Sequence, residues 1–337
     1  MMFTSGMQQS ICCHKKEEEK GMNMLDTLQN SYFSEILPKG WDIAKIAECV
    51  SHDPSEVLDR QPFWHEGFQP VPCSSLGDFE VYMGHEIAMQ IKKTRDEGRK
   101  LILILPVGPM GMYRWTVYFL KEWNVDCKHV YSFNMDEWAD ADGNTLHPSD
   151  PAAFQNAMTE ALFGPLGELS VPEDQRHFAT KDVLPLYPEK MKALRAEGAK
   201  QVLVYGIGRM CHIAFWEPHF AQDYATREEW LAAPYRIGAR LHPFTIEQNA
   251  ITSFRSSWPL IPCYANTIGP AIIFSSDYAI GGADGVLSRG MQWQGMSFWM
   301  TLRYGPTTCV TSSNIPTMPG KLFFMDELAG PLCADTN

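Results

Sequence analysis

Two stretches of unbroken apolar sequence, Leu101-Ile102-Leu103-Ile104-Leu105 and Val202-Leu203-Val204-Tyr205, constrain the fold class most. A strand with one wet face alternates apolar and polar residues. A run that is apolar at every position is covered on both faces, which is the pattern of a parallel sheet between two helix layers. The first run ends at Pro106 and the second at Gly206. The sequence between them agrees. Residues 79–97 carry Val81, Met83, Ile87, Ala88 and Ile91 at helical spacing and close on Lys92, Lys93 and Gly98, a helix with a marked end. A Gly/Pro loop over 107–111 leads into a helix over 112–123, and His129 to Phe133 is the next strand. A helical insertion follows over 152–163 and 189–197. Later strands are expected at 277–280, 308–311 and 322–325, with a Met- and Trp-rich helix over 288–302 whose aromatic stripe is core. Strands alternating with helices imply an α/β domain with a mostly parallel sheet and right-handed crossovers.

The chain has 337 residues, of which 45% are apolar, enough for a sizeable core. Its net charge of −12 leaves no electrostatic footprint for nucleic acid or an anionic membrane surface. No segment reaches the apolar length of a membrane span, and residues 1–24 carry no signal-peptide core. Nine cysteines, an odd number with no Cys-x-x-Cys, suit a reduced cytoplasmic protein. Cys12-Cys13-His14 and the charge run Lys15 to Lys20 belong to an expected disordered tail over residues 1–25. Residues 26–74 hold short helical patterns, such as 42–50, interrupted by Pro38, Pro54 and Pro62. They are expected to form an N-terminal extension packed on the core, with the α/β domain over 75–330.

Three strand ends could carry chemistry. The loop Pro106-Val107-Gly108-Pro109-Met110-Gly111 joins a strand to a helix, where backbone N–H groups can meet an anion. It lacks the Lys and hydroxyl of a P-loop, and a tight turn explains it equally well. Asn134-Met135-Asp136-Glu137 follows a strand directly. Such a pair is usually a helix cap, yet a carboxylate at a sheet's C-terminal edge is also placed to act as a general base. The third is Gly206-Ile207-Gly208, then His212 and, five residues on, Glu217-Pro218. An imidazole with a carboxylate partner exchanges protons near neutral pH. Asp140-Ala141-Asp142-Gly143-Asn144 lacks the acid that would close a calcium loop. There is no His/Cys spacing of zinc type and no Gly-x-Ser-x-Gly; no metal and no cofactor is expected.

Taken in order, these motifs resemble the glucosamine-6-phosphate isomerase/deaminase family. Phe133-Asn134-Met135-Asp136-Glu137 is similar to that family's Phe-Asn-Met-Asp-Glu. Gly206-Ile207-Gly208 with His212-Ile213-Ala214-Phe215 and Glu217-Pro218 is similar to its Gly-x-Gly-x-x-Gly-His-Ile-Ala-Phe-Asn-Glu-Pro. Weaker likeness runs through 240–254, 261–269 and 302–317, so the resemblance covers roughly residues 75–325. It implies a Rossmann-like three-layer α/β sandwich and a metal-free reaction: ring opening, proton transfer between C2 and C1, and release of ammonia. By resemblance, Asp136 is the base for that proton, His212 the acid/base at the ring oxygen, and Glu217 its orienting partner. Gly108, Gly111, Glu137, Gly206, Gly208 and Arg240 are the implied substrate- and phosphate-binding positions.

The departures are specific. Met210 stands where the family has an aspartate, and Trp216 where it has an asparagine. Pro109 and Met110 replace the Gly-Thr/Ser of its phosphate loop, and its phosphate-binding lysine has no clear match near 281–289, where Arg289 is a candidate replacement in a poorly aligned stretch. They argue against authentic glucosamine-6-phosphate deaminase activity. The expected function is therefore an aldose–ketose isomerase or deaminase acting on a sugar phosphate or a related amino or acidic sugar. The alternatives are a non-catalytic sugar-phosphate-binding protein or a sugar lactone hydrolase on the same fold. The expected partner is a small sugar or sugar phosphate, with a homo-oligomer left open.

Overall fold

The computed structural model describes residues 23–287 and 291–332. The expected tail, with Cys12, Cys13 and His14, lies outside the described residues except for its last three, and so does Arg289. Residues up to Leu37 form a unit of their own, with a 3-10 turn at Met24–Leu28 and a short helix at Tyr32–Ile36.

From Pro38 onward the described chain is one compact unit built on two sheets. Its strands are β1 (Phe68–Cys73), β2 (Leu101–Leu105), β3 (Val130–Asn134), β4 (Asp136–Ala139), β5 (Arg176–His177), β6 (Lys200–Gly206), β7 (Tyr235–Arg240), β8 (Tyr264–Ile268), β9 (Tyr278–Ala283) and β10 (Gly320–Met325). Seven of them form a parallel sheet in the order β1-β10-β9-β6-β2-β3-β5. The other three form an antiparallel sheet in the order β4-β8-β7. The apolar runs are the centre of the large sheet: every residue of β2 is buried, and so are Gln201 to Tyr205 of β6. Burying a Leu or Ile contributes about 1.5–3 kcal/mol, so these two strands anchor the layer.

Five helices matter for the site: α1 (Leu76–Asp96), α2 (Gly111–Glu122), α3 (Tyr187–Ala196), α4 (Pro243–Ser253) and α5 (Gly295–Arg303). Ser75 caps α1 by accepting the Asp78 amide at 3.1 Å. Gly84 lets α1 and α2 pack closely, since a Cβ there would sit 2.6 Å from the Trp115 Cβ.

Three expectations differ from what is observed. β1 lies before the domain start expected at residue 75, inside the stretch read as an extension. Its Pro70 and Pro72 hide it in the sequence, but it is the edge strand of the sheet, where proline is tolerated. The strand expected at 308–311 is replaced by a Thr307–Val310 bridge and a 3-10 segment, Thr311–Thr317. There Ser313, Asn314 and Thr317 donate side-chain hydrogen bonds to the carbonyls of Val310, Thr311 and Asn314, and such local bonds compete with a sheet ladder. The helix expected from residue 288 begins instead at Gly295. The residue before it, Gln294, is committed elsewhere: its side chain accepts from the Gly285 amide and donates to the Ile207 carbonyl.

Candidate active site

The two sheets meet at Met135. Its amide donates to Leu105 at the end of β2, and its carbonyl accepts from Ile268 at the end of β8. The chain thus leaves the parallel sheet at Asn134 and enters the antiparallel one at Asp136, and a cavity of about 490 Å³ opens beside this crossing. Gly108, Asp136, Gly206, Gly208, His212, Gln248, Asn249 and Asp284 are among its lining residues. It lies past the C-terminal ends of β2, β3, β6 and β9, where open α/β sheets place their ligands. Asp136 begins a strand; it does not cap a helix.

Alternation along β4 separates the two adjacent acids. Asp136 faces the cavity, and among the described residues no hydrogen bond reaches its carboxylate, although it is only 6% exposed. Burial, and then the charge of Glu137, push its carboxyl well above the ordinary range. Glu137 points the other way, outside the cavity. Its carboxylate accepts the amides of Trp138 at 3.0 Å and of Phe154 and Gln155 at 2.9 Å. Burial raises its pKa, and these three bonds only partly counter that.

His212 is held from several sides. Cys211 and Ala214 flank it in left-handed backbone, φ 59° and 53°, conformations that cost a non-glycine residue on the order of 1 kcal/mol or more. The Gly208 amide donates to the His212 carbonyl at 3.0 Å. The imidazole packs so closely on Gly208 that a Cβ there would collide with Nε2. Behind it, Nδ1 lies 3.4 Å from Glu217 Oε2 and 3.2 Å from Thr245 Oγ1. A carboxylate at Nδ1 calls for a proton on that nitrogen and leaves Nε2 to exchange one. Glu217 is fully buried, and its Oε1 accepts the His242 amide at 3.0 Å. Burial would raise its carboxyl, but the His212 imidazole, with these bonds, holds it below the ordinary range. Glu217 therefore positions His212 from outside the cavity.

Of the remaining expected positions, Gly108, Gly206 and Gly208 line the cavity, whereas Gly111, Glu137 and Arg240 do not. Arg240 ends β7 with an exposed side chain. Met210 is buried, and the indole of Trp216 packs under the Arg236 guanidinium at 5.2 Å. Asp284 lines the cavity and was not anticipated. Burial, with the Glu80 charge adding to it, pushes its carboxyl up to about 6. The cue was present in Gly281-Gly282-Ala283-Asp284-Gly285, a small-residue run just past an expected strand. Among the described residues no group of three or more His, Cys, Asp or Glu is arranged to hold a metal ion. No described helix is long and apolar enough to cross a membrane.

This architecture is a fold found among solved structures of other proteins. It matches a monomeric glucosamine-6-phosphate deaminase of the NagB superfamily with a TM-score of 0.61 at 19% identity, over 77% of this chain and 98% of that one. A 6-phosphogluconolactonase from Shewanella baltica matches with a TM-score of 0.51 at 13% identity, over 77% and 98%. In sequence, a glucosamine-6-phosphate deaminase from Treponema denticola is 28% identical over 194 residues, 56% of this chain and 64% of that protein. The chain thus spans just under two thirds of that relative's length. Glucosamine-6-phosphate deaminase 2 from Giardia intestinalis is 26% identical over 264 residues, 77% of this chain and 89% of that protein. No family model matches. In sequence the chain is thus remotely similar, at 26–28% identity, to proteins named glucosamine-6-phosphate deaminase, and one of that name shares its fold.

Proposed function

We propose that the cavity catalyses aldose–ketose isomerisation of an amino sugar with release of ammonia, by acid/base chemistry. The observation that carries this reading is the pairing of two proton-exchanging groups on one cavity. The unpartnered carboxylate of Asp136 and the imidazole of His212, backed by Glu217, both face it. His212 Nε2 protonates the ring oxygen as the hemiacetal opens to the aldehyde. Asp136 removes the C2 proton to give the enol and returns it at C1. The C2 imine so formed is hydrolysed by water to the ketose and ammonia. A base with a raised pKa fits this step, because a carboxyl nearer neutrality is the stronger proton acceptor when ionised. Amide and hydroxyl groups of α4, Gln248, Asn249, Thr252 and Ser253, line the same cavity and suit a polyol. The relatives named as deaminases support the choice of reaction.

The test is coupled detection of ammonia and ketose from a panel of amino sugars and their phosphates, with Asp136→Asn alongside. Loss of a positioned base is expected to lower kcat by about 10²–10⁴-fold. Absence of turnover across the panel, or equal turnover by the variant, refutes the reading. Hydrolysis of sugar lactones in its place would assign the lactonase chemistry of the structural neighbours.

A further inference from the structure

We propose that the cavity takes a free, unphosphorylated amino sugar in preference to its phosphate ester, with Asp284 as the partner of the ammonium group. This rests on the acid/base reading above and narrows its substrate class. The first support lies at the start of α2. A strand–loop–helix turn like that over 106–111 offers unpaired backbone N–H groups to an anion. Here an acid of the chain packs beside the start of the helix. Glu80, near the start of α1, packs its carboxylate directly on Gly111, where a Cβ would collide with it. Arg114, in the first turn of α2, binds the same carboxylate at 2.9 Å, so its charge is already matched. Pro109, in the loop, has no N–H to give.

The second support is the sign of the cavity's charge. Among the described residues that line it there is no Lys or Arg, while Asp136 and Asp284 both present carboxyls. A phosphate dianion would be desolvated beside like charges with no Lys or Arg among the described lining residues, an unfavourable setting for it. An ammonium group reverses each of these terms. Glu80 adds to the negative field at Asp284, whose carboxyl is pushed up to about 6; a bound cation favours the ionised form and so is favoured in return. Neutral amides and hydroxyls from α4 remain for the sugar hydroxyls.

Titration calorimetry of the full chain with glucosamine and with glucosamine 6-phosphate tests this, using wild type, Asp284→Asn, Glu80→Gln and Arg289→Ala. Glucosamine is expected to bind at least about tenfold more tightly than the ester, a difference of about 1.4 kcal/mol or more. Asp284→Asn should remove most of that preference by weakening glucosamine, and Glu80→Gln should strengthen the ester. Tighter binding of the ester by the wild type overturns the proposal, and its loss in Arg289→Ala would show which cation had been supplied. If Asp284→Asn does not fold, the wild-type ratio decides alone. Turnover separates the two claims. An ester turned over through Asp136 removes this inference and leaves the acid/base function. Glucosamine that binds without ever turning over does the reverse. Binding of neither sugar removes both.

Discussion

Glu137→Gln separates the two neighbouring acids of β4 most cleanly. The wild-type carboxylate accepts three backbone amides, two on Oε1 and one, from Gln155, on Oε2. Glutamine keeps one acceptor oxygen and turns an NH₂ toward the third amide, so one buried or half-buried N–H loses its partner. An unmatched donor of this kind costs about 1–3 kcal/mol. Burial opposes the ionised form of Glu137, so the neutral residue recovers part of this, and a net loss of about 1–2 kcal/mol is expected. The second effect is on Asp136. Its carboxyl stands above the ordinary range because of burial and then the Glu137 charge. Removing that charge lowers it, so the acid limb of kcat/KM against pH should move to lower pH. Activity at neutral pH should be kept. Urea midpoints at constant slope give the stability change, and the pH profile gives the electrostatic one. A fall in kcat comparable to that of Asp136→Asn would refute the reasoning, because it would place Glu137 in the chemistry and not behind it. An unmoved acid limb would show that the two carboxyls do not sense each other.

The remaining predictions concern the histidine and the sheet edge. Glu217→Gln should cost about 1.5–3 kcal/mol and lower kcat more than it changes KM, because the residue acts through His212. Glu217 is held below its ordinary value of 4.5, so its contribution is full above that pH and fades as pH falls through the lower folded value. The stability gap between wild type and Glu217→Gln, followed by thermal midpoints, should therefore be constant near neutrality and narrow as pH falls below 4.5. Gly208→Ala puts a Cβ into the space of the imidazole; displacing a catalytic group by about 1 Å can cost 10²-fold in rate, and retained wild-type kcat would refute the packing described. A chain beginning at residue 75 lacks β1 and the Trp64 indole bonded to Leu302 at 3.1 Å. It should lose the cooperative unfolding transition of the full chain, which circular dichroism would show.

Legibility in the sequence followed the physics of each signal. β2 and β6 are unbroken apolar runs because helices cover both of their faces, and their placement was plain from that alone. β1 was not, because Phe68-Gln69-Pro70-Val71-Pro72-Cys73 breaks the rule that prolines end strands. The rule yields at an edge, where one side of the strand makes no ladder, and edge position is a property of the sheet and not of the segment. The strand expected at 308–311 was misread for the opposite reason. Its β-branched residues suit a strand, but hydroxyl and amide side chains satisfy the backbone locally.

Five acids in and around the cavity show why residue type and motif stop short of role. Asp136 and Glu137 are adjacent, and a strand's two-residue period alone sends one to the cavity and the other to cap the turn at Phe154. That period applies only because the chain changes sheets at Met135, which no local pattern marks. Glu217 was legible as a partner of His212, but that it acts from outside the cavity depends on its burial beneath the imidazole. Asp284 showed only as part of a small-residue run past an expected strand, and Glu80 was invisible as a site residue. Glu80 is 31 residues before Gly111 and meets it only because α1 and α2 pack side by side through Gly84. Charge in the cavity is thus set by contacts between elements, while the motif preserves only the strand ends where those contacts are made. A chain can therefore keep a family's proton-transfer residues and alter the ligand its cavity prefers, since the two are encoded at different distances along the sequence.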